Sequence, residues 1–335
     1  MADDKVSIYQ LAAGHYVSHA LALVAKLDIA DRLSGGPRTS EELARATQTD
    51  APALRRLLRL LASFGVFEED AQGRFQHSAL SEALRSDVPG SMKAMVTVFA
   101  GPHMQAAWKE LEYCVRTGQP AFKKDDPNGD AFDVMSRDPE YAATFDKAMA
   151  TFAPQTAAAV AAAYDFSRFG SLVDVGGGNG TLLTGILNAN PELRGVLFDQ
   201  PHVVARASAS HPSARLEMAG GSFFEQVPAG HDAYLSKHVI HDWNDTDAIR
   251  ILKVIRRAIP AHGTLLIVEG LYPAQITPAP DVQSATSNDV NMLVNTGGRQ
   301  RSEAEFRALF ARASFELTRI VATPARVSVI EAAPR

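Results

Sequence analysis

The chain has 335 residues, 46% apolar and 21% charged, which is enough for a large core and more than one domain. Its formal net charge of -5 leaves no basic footprint for nucleic acid, and Cys114, the only cysteine, excludes an internal disulfide or a cysteine-rich zinc site. That cysteine usage fits a reducing, cytoplasmic home. Met1–Gln10 carries no signal-peptide pattern, and the apolar stretch Leu21–Leu33 is too short and too charged to span a membrane.

Residues 5–33 read as one amphipathic helix, stopped by Gly35-Gly36-Pro37. Thr39 is placed to cap a short helix, with Glu42 completing a capping box. Asp50, with Pro52 in the first turn, starts another helix that carries Leu54, Leu57, Leu58 and Leu61 on one face and ends at Gly65. Val66–Glu69, a turn at Asp70–Gly73, and Arg74–His77 then read as a β-hairpin. Helix, helix, hairpin is the layout of a winged helix. The long apolar N-terminal helices call for a partner surface, so a homodimer is expected. Helical stretches follow at about 91–118 and 138–165, separated by a charged loop at Lys123–Asp130.

From Ser171 the pattern changes. Short runs at Leu172–Val175, Gly195–Phe198, Ala233–Leu235 and Leu265–Val268 alternate with helical ones, which predicts an α/β, Rossmann-like doubly wound sheet. Helices near 284–295 and 302–313 and strands at Glu316–Val321 and Val327–Ala332 close the chain. Three segments result: a winged-helix-like domain over 1–100, where the dimer contact is expected, a helical connection over 101–165, and an α/β domain over 166–335.

The first of these strands runs into Asp174-Val175-Gly176-Gly177-Gly178-Asn179-Gly180 and then a helix. Glycines there let the backbone turn sharply and approach a ligand. The next strand ends in Asp199, 23 residues after Gly176, where open α/β sheets place the acid that binds ribose hydroxyls. A dinucleotide fingerprint wants glycine or alanine where Thr181 stands. Asp174 would also repel a pyrophosphate. It suits a cationic ligand such as S-adenosylmethionine, which has an ammonium and a sulfonium but no phosphate.

With Phe198-Asp199-Gln200-Pro201 and Lys237-His238-Val239-Ile240-His241-Asp242-Trp243, the glycine loop resembles the small-molecule O-methyltransferases related to plant caffeate and flavonoid O-methyltransferases, which include bacterial enzymes of natural-product assembly. The resemblance covers nearly the whole chain. It implies His241 as catalytic base and Glu269 as the carboxylate beside it. It implies Asp174, Gly176, Gly178, Asp199, Gln200, Phe223 and Lys237 as cofactor-binding residues, and a helix with Asn288 and Met292 lining the acceptor pocket. His103, Met104, Trp108 and Phe152 are further candidates for that pocket, with Phe99, Phe122, Phe132 and Phe145 also suited to a planar ring. Two positions depart from the family pattern. Ser222 stands where an Asp contacts the adenosine, and Gln300 stands where a second Glu flanks the base.

The implied chemistry is transfer of a methyl group to a hydroxyl of a small aromatic, phenolic or polyketide-like metabolite. A phenol with pKa near 10 and an imidazole near 6.5 leave full proton transfer uphill by about 5 kcal/mol. A carboxylate on the imidazole would narrow that gap. Alternative readings are a cofactor-retaining relative with drifted chemistry (a hydroxylase, or a C- or N-methyltransferase) and a winged-helix DNA-binding regulator using Arg55, Arg56 and Arg59. Residues 1–100 hold nearly equal numbers of acids and bases, so neither nucleic acid nor membrane is expected as a partner. His238 and Trp243 are read as structural.

Overall fold

The computed structural model describes residues 2–129, 131, 137–208 and 214–335. It divides into two compact units, 1–106 with 135–151, and 107–134 with 152–335, so the stretch 101–165 is shared between them. Phe132 lies outside the described residues.

In the first unit, the expected helix over 5–33 is three: Ala2–Ala12, Gly14–Lys26 and Ile29–Arg32. The last break falls at Asp28, which adopts a left-handed φ of 57°. Periodicity alone does not register such a break, because the apolar face continues across it. The capping box at Thr39 and the Asp50 cap form as read, opening helices Ser40–Thr47 and Ala51–Ser63. The hairpin pairs β2 (Phe67–Glu69) with β3 (Arg74–His77), and β1 (Arg38–Thr39) adds a third strand. Val24, Ile29, Leu43, Leu54, Leu58, Leu61, Phe67 and Phe75 fill the core of this unit. Arg55 and Arg59 both hold Glu69 at the end of β2, at 3.1 and 2.8 Å. Ile8, Tyr9, Leu11 and Tyr16 are exposed along the first two helices. Among the described residues, no helix is long and apolar enough to cross a membrane.

The second unit is built on a seven-stranded sheet of β4 (Ser171–Val175), β5 (Arg194–Asp199), β6 (Leu216–Gly220), β7 (Ala233–Lys237), β8 (Thr264–Glu269), β9 (Phe315–Ala322) and β10 (Ser328–Pro334). The order is β6-β5-β4-β7-β8-β10-β9, parallel except for β10, which runs antiparallel to both its neighbours. Strand β6 was not evident in the sequence. Its residues, Leu-Glu-Met-Ala-Gly, lack β-branched side chains, and it sits at the sheet edge. Strand order reverses between β4 and β7, and the crevice beyond the carboxyl ends at such a point is where open α/β sheets bind ligands.

Alternation along the strands feeds two cores. Val173, Tyr234, Leu265 and Ile267 join the helices Asp245–Ala258 and Glu303–Arg312 on one face. Leu172, Leu197, Leu235 and Leu266 join helices Ala153–Ala163 and Thr181–Ala189 on the other. With period two, Asp174, Asp199 and Lys237 fall on the parity of the second face and Glu269 on that of the first. Four polar residues thus stand at the carboxyl ends of four adjacent parallel strands, sorted to two sides of the sheet.

Candidate functional site

The glycine loop owes its shape to backbone freedom and to space. Gly176, Gly178 and Gly180 have φ of 72°, 58° and 78°, a left-handed conformation that strains other residues. A Cβ on Gly176 would also lie 2.7 Å from Val239 Cγ2. Asp199 ties the loop down: its Oδ2 accepts from Gly178 N at 2.8 Å and its Oδ1 from Gln200 N at 2.7 Å. Gln200 itself is exposed.

Asp174 is 1% exposed, and neither of its oxygens meets a hydrogen-bond donor among the described residues. Burial pushes its carboxyl up to about 7; the Lys237 ammonium opposes the rise and Asp199 adds to it. An unsatisfied buried carboxylate costs free energy, and a donor from outside the chain could satisfy it. Lys237 is half-buried at the end of β7, its own pKa lowered by burial against the pull of Asp174. Phe223 lies beside the loop, its ring edge 3.7 Å from where a Cβ on Gly176 would be, and packs edge-on against Trp243. Ser222 spends its hydroxyl locally, accepting from Phe224 N at 3.3 Å.

Beyond β7 a short 3-10 turn, Ile240–Asp242, carries His241. The imidazole is buried, and its Nδ1 lies 3.0 Å from Gln300 Nε2. Its Nε2 is 3.5 Å from Asp242 Oδ1, longer than a charge-assisted hydrogen bond. Burial first, then the Lys237 and Arg301 cations, push the ring down to about 3. The exposed His238 stacks on it with centroids 5.2 Å apart.

Glu269 differs from the expectation. Its Oε1 accepts from the backbone N–H of His241 at 3.0 Å, and its Oε2 has no hydrogen-bond partner among the described residues. It anchors the turn that bears the imidazole instead of hydrogen-bonding the ring. Burial pushes its carboxyl up to about 7, against that backbone donor and Arg301.

Sequence reasoning passed over the clamp that holds this turn. Arg301 is 1% exposed and donates from Nη1 to Ile240 O, from Nη2 to Trp243 O, and from Nε and Nη2 to Asp245 Oδ1. Arg299 N donates to His241 O at 2.8 Å, and Asp289 Oδ1 accepts from Gln300 N at 2.7 Å. Gly298 lies so close that a Cβ there would be 2.0 Å from His241 O. The Gly297-Gly298 pair was the available signal, since paired glycines outside a simple turn mark close backbone approach.

The other candidates are placed by unit. In the first, Met104 is buried, Phe99 is exposed, Phe145 lies near Tyr141, and His103 stacks on Tyr141 and faces Asp138 at 3.3 Å. In the second, Trp108 Nε1 donates to Asn291 Oδ1 at 3.1 Å, on the helix Pro280–Asn295 that also carries half-buried Asn288 and buried Met292. Phe152 is exposed, and Phe122 is half-buried in the turn Ala121–Lys124. Among the described residues, no His, Cys, Asp and Glu cluster could hold a metal ion.

Comparison with known proteins matches residues 108–316 to an O-methyltransferase domain and 9–87 to an O-methyltransferase dimerisation domain. The chain is similar to the phenazine O-methyltransferase PhzM of Lysobacter antibioticus, 40% identical over 98% of this chain and 95% of that one. The structure of the mitomycin 7-O-methyltransferase MmcR superposes with a TM-score of 0.92 at 35% identity, covering 100% of this chain and 98% of that one. An O-methyltransferase of neocarzinostatin biosynthesis, NcsB1, solved with S-adenosylmethionine and 2-hydroxy-5-methyl naphthoic acid, superposes with a TM-score of 0.83 at 30% identity over 96% of each chain.

Proposed function

The chain belongs to the O-methyltransferase family, and from that premise we propose that it uses S-adenosylmethionine to methylate a hydroxyl of a small aromatic metabolite, with His241 at the acceptor oxygen. One observation of this structure carries the cofactor reading: Asp174, buried and without a donor, sits where a cationic ligand would satisfy it. Asp174, Lys237, the glycine loop, Asp199 and Phe223 would hold that cofactor. When bound, it supplies an electrophilic methyl that the acceptor oxygen takes with its own electron pair, while the C–S pair stays on sulfur.

The chain's own residues do the rest. Asp174 balances a positive charge inside the protein. Asp199 keeps the glycine loop in its left-handed turns. His241 meets the acceptor hydroxyl, as a general base when its Nε2 carries the lone pair, a role that typically contributes 10²–10⁴-fold. Gln300 holds the other ring nitrogen, while Glu269 and Arg301 fix the turn beneath the ring. Dimerisation through the first unit is part of the same reading, supported by the dimerisation-domain match and the exposed apolar side chains of its N-terminal helices.

Calorimetric titration with S-adenosylmethionine and, separately, NAD tests the cofactor reading without knowledge of the acceptor. Binding of the first alone is expected. No binding of the first would reduce the reading to ancestry. Methyl transfer to phenols, compared between the wild type and His241→Ala, then tests the role of the imidazole.

A further inference from the structure

We propose that the second unit carries another ligand site: a basic groove on the helix Asp245–Ala258 that takes a small oligophosphate, two or more linked phosphates either free or on a nucleoside. None of its lining residues is among those assigned above to the cofactor or the acceptor.

Spacing places the cations. Arg250, Lys253 and Arg257 recur at intervals of three and four residues, so they share one face of that helix. Arg312 ends the helix Glu303–Arg312 and lines the same groove. Both helices bury their apolar sides in one core, which fixes the frame on which the four side chains stand. The groove holds about 450 Å³, and buried Ile249 and Val254 line it beneath the exposed cations. A concavity of that size suits a small molecule.

These charges are unspent. Among the described residues, none of the four has an ion-pair partner, and no carboxylate lines the groove. The acids nearest in sequence are engaged elsewhere: Asp245 with Arg301 at 2.9 Å, Asp247 with Asn244 at 2.8 Å, and Glu303 with Arg307 at 2.8 Å. Arg256 is spent too, donating to the backbone oxygens of Ser314 and Arg335. Like charges three and four residues apart destabilise a helix, a cost that a bound anion would remove. A chain of net charge -5 that gathers four free cations around one concavity breaks a local rule, and such breaks are expected where a ligand binds.

Arg250 shows how the anion would be met. Its guanidinium lies over the Phe224 ring, 4.8 Å from the centroid. That contact holds the plane and leaves the N–H edges for phosphate oxygens. Phe224 in turn packs against Phe223 and Trp243, with centroids 5.1 and 4.7 Å away, and Phe223 lies beside the glycine loop. The groove and the proposed cofactor site would thus share a wall and no lining residue.

Length selects the ligand. Arg250 and Arg257 are seven residues apart, about 10 Å along the helix axis. A single phosphate matches one or two of the cations, whereas linked phosphates match the row. The closed outline favours a compact anion over an extended nucleic-acid backbone.

Calorimetric titration of the full-length protein with sodium tripolyphosphate tests this, with saturating S-adenosylhomocysteine present and about 0.1 M salt to screen diffuse charge. One-to-one binding is expected. Arg250→Gln with Arg257→Gln should weaken it at least about tenfold, while the control pair Lys26→Gln with Arg45→Gln leaves it unchanged. Both pairs change exposed side chains, and their melting curves confirm that they fold. Adenosine triphosphate distinguishes the sources: equal affinity assigns recognition to the phosphate chain, and tighter binding adds the nucleoside, either of which supports the site. Absence of binding overturns the proposal, as does equal loss in the control pair. Displacement by sulfate at the same ionic strength would mean an adventitious ion only, and displacement by a short oligonucleotide would mean a nucleic-acid surface. Binding that appears only without S-adenosylhomocysteine would place the anion in the cofactor site, and this proposal would fall while the methyltransferase reading stood.

Discussion

At the scale of single residues, Asp174 sets stability against binding. Its folded pKa of about 7 lies above its unfolded value, so between about pH 4 and 7 the folded state holds the extra proton. Stability contributed by this group therefore falls as pH rises through that window. Asp174→Asn removes the charge and keeps the shape. We expect its apo melting temperature at pH 8 to exceed the wild type's by several degrees, with the pH slope between 4 and 7 reduced. Its affinity for S-adenosylmethionine should drop by about 10–100-fold, the usual worth of a hydrogen bond to a charged partner. Thermal melts across pH and a calorimetric titration check both. Asp174 and Asp199 were singled out in the sequence by the glycine loop between them, whereas Lys237 and His241 were singled out only by resemblance to the family's motif. The partner of Glu269 was not legible. A strand-end carboxylate can reach a side chain or a backbone N–H one turn away, and one-dimensional spacing does not distinguish them.

At the scale of elements, the turn that bears His241 and the segment 296–301 are laced together. Gly298 makes this possible, since a Cβ would lie 2.0 Å from His241 O and 2.4 Å from the Asp242 carbonyl carbon. Backbone cannot yield as a flexible side chain can. Gly298→Ala should therefore displace His241 from Gln300. We expect methyl transfer to fall at least tenfold while cofactor binding, proposed for the carboxyl ends of β4, β5 and β7, stays within about threefold of wild type. Loss of both together would mean that the unit had unfolded rather than shifted. Arg301→Leu should be harsher. It strands two carbonyls and Asp245 around a buried site, and about 3 kcal/mol of stability is expected to go, read as a lower urea midpoint at unchanged m-value. The Thr39 capping box, the Asp50 cap and the hairpin of the first unit were readable because each has a local signature of three or four residues. The helix break at Asp28 was not, because the apolar period runs through it, whereas Gly101-Pro102 is a local break signal inside the stretch 91–118 read as helical.

At the scale of the whole molecule, the order of strands and helices from Ser171 onward already gave the fold class, since β-branched runs alternating with helical ones admit few architectures. What the pattern left out was the edge. Strand β6 carries little burial, so little of its sequence is dictated by the core. The apolar residues left exposed on the first two helices, Ile8, Tyr9, Leu11 and Tyr16, make a statement about assembly. Sedimentation at micromolar concentration is expected to give a dimer, and Ile8→Lys with Leu11→Lys to move the equilibrium toward monomer. A wild-type monomer would sink this expectation. S-adenosylmethionine at a hundred times its Kd should raise the stability of the second unit by about 2.7 kcal/mol, visible as a higher melting temperature.

In the proposed site, the unsatisfied Asp174 carboxylate would also make cofactor capture a proton-exchange event. Near pH 7 the empty site carries Asp174 about half protonated, whereas a bound cation demands the fully ionised form. Each binding event at that pH then releases about half a proton. The measured heat will depend on the ionisation enthalpy of the buffer, and affinity will climb as pH rises through neutrality before levelling off. A cell that acidifies would loosen the enzyme's hold on its methyl donor before the fold itself was at risk.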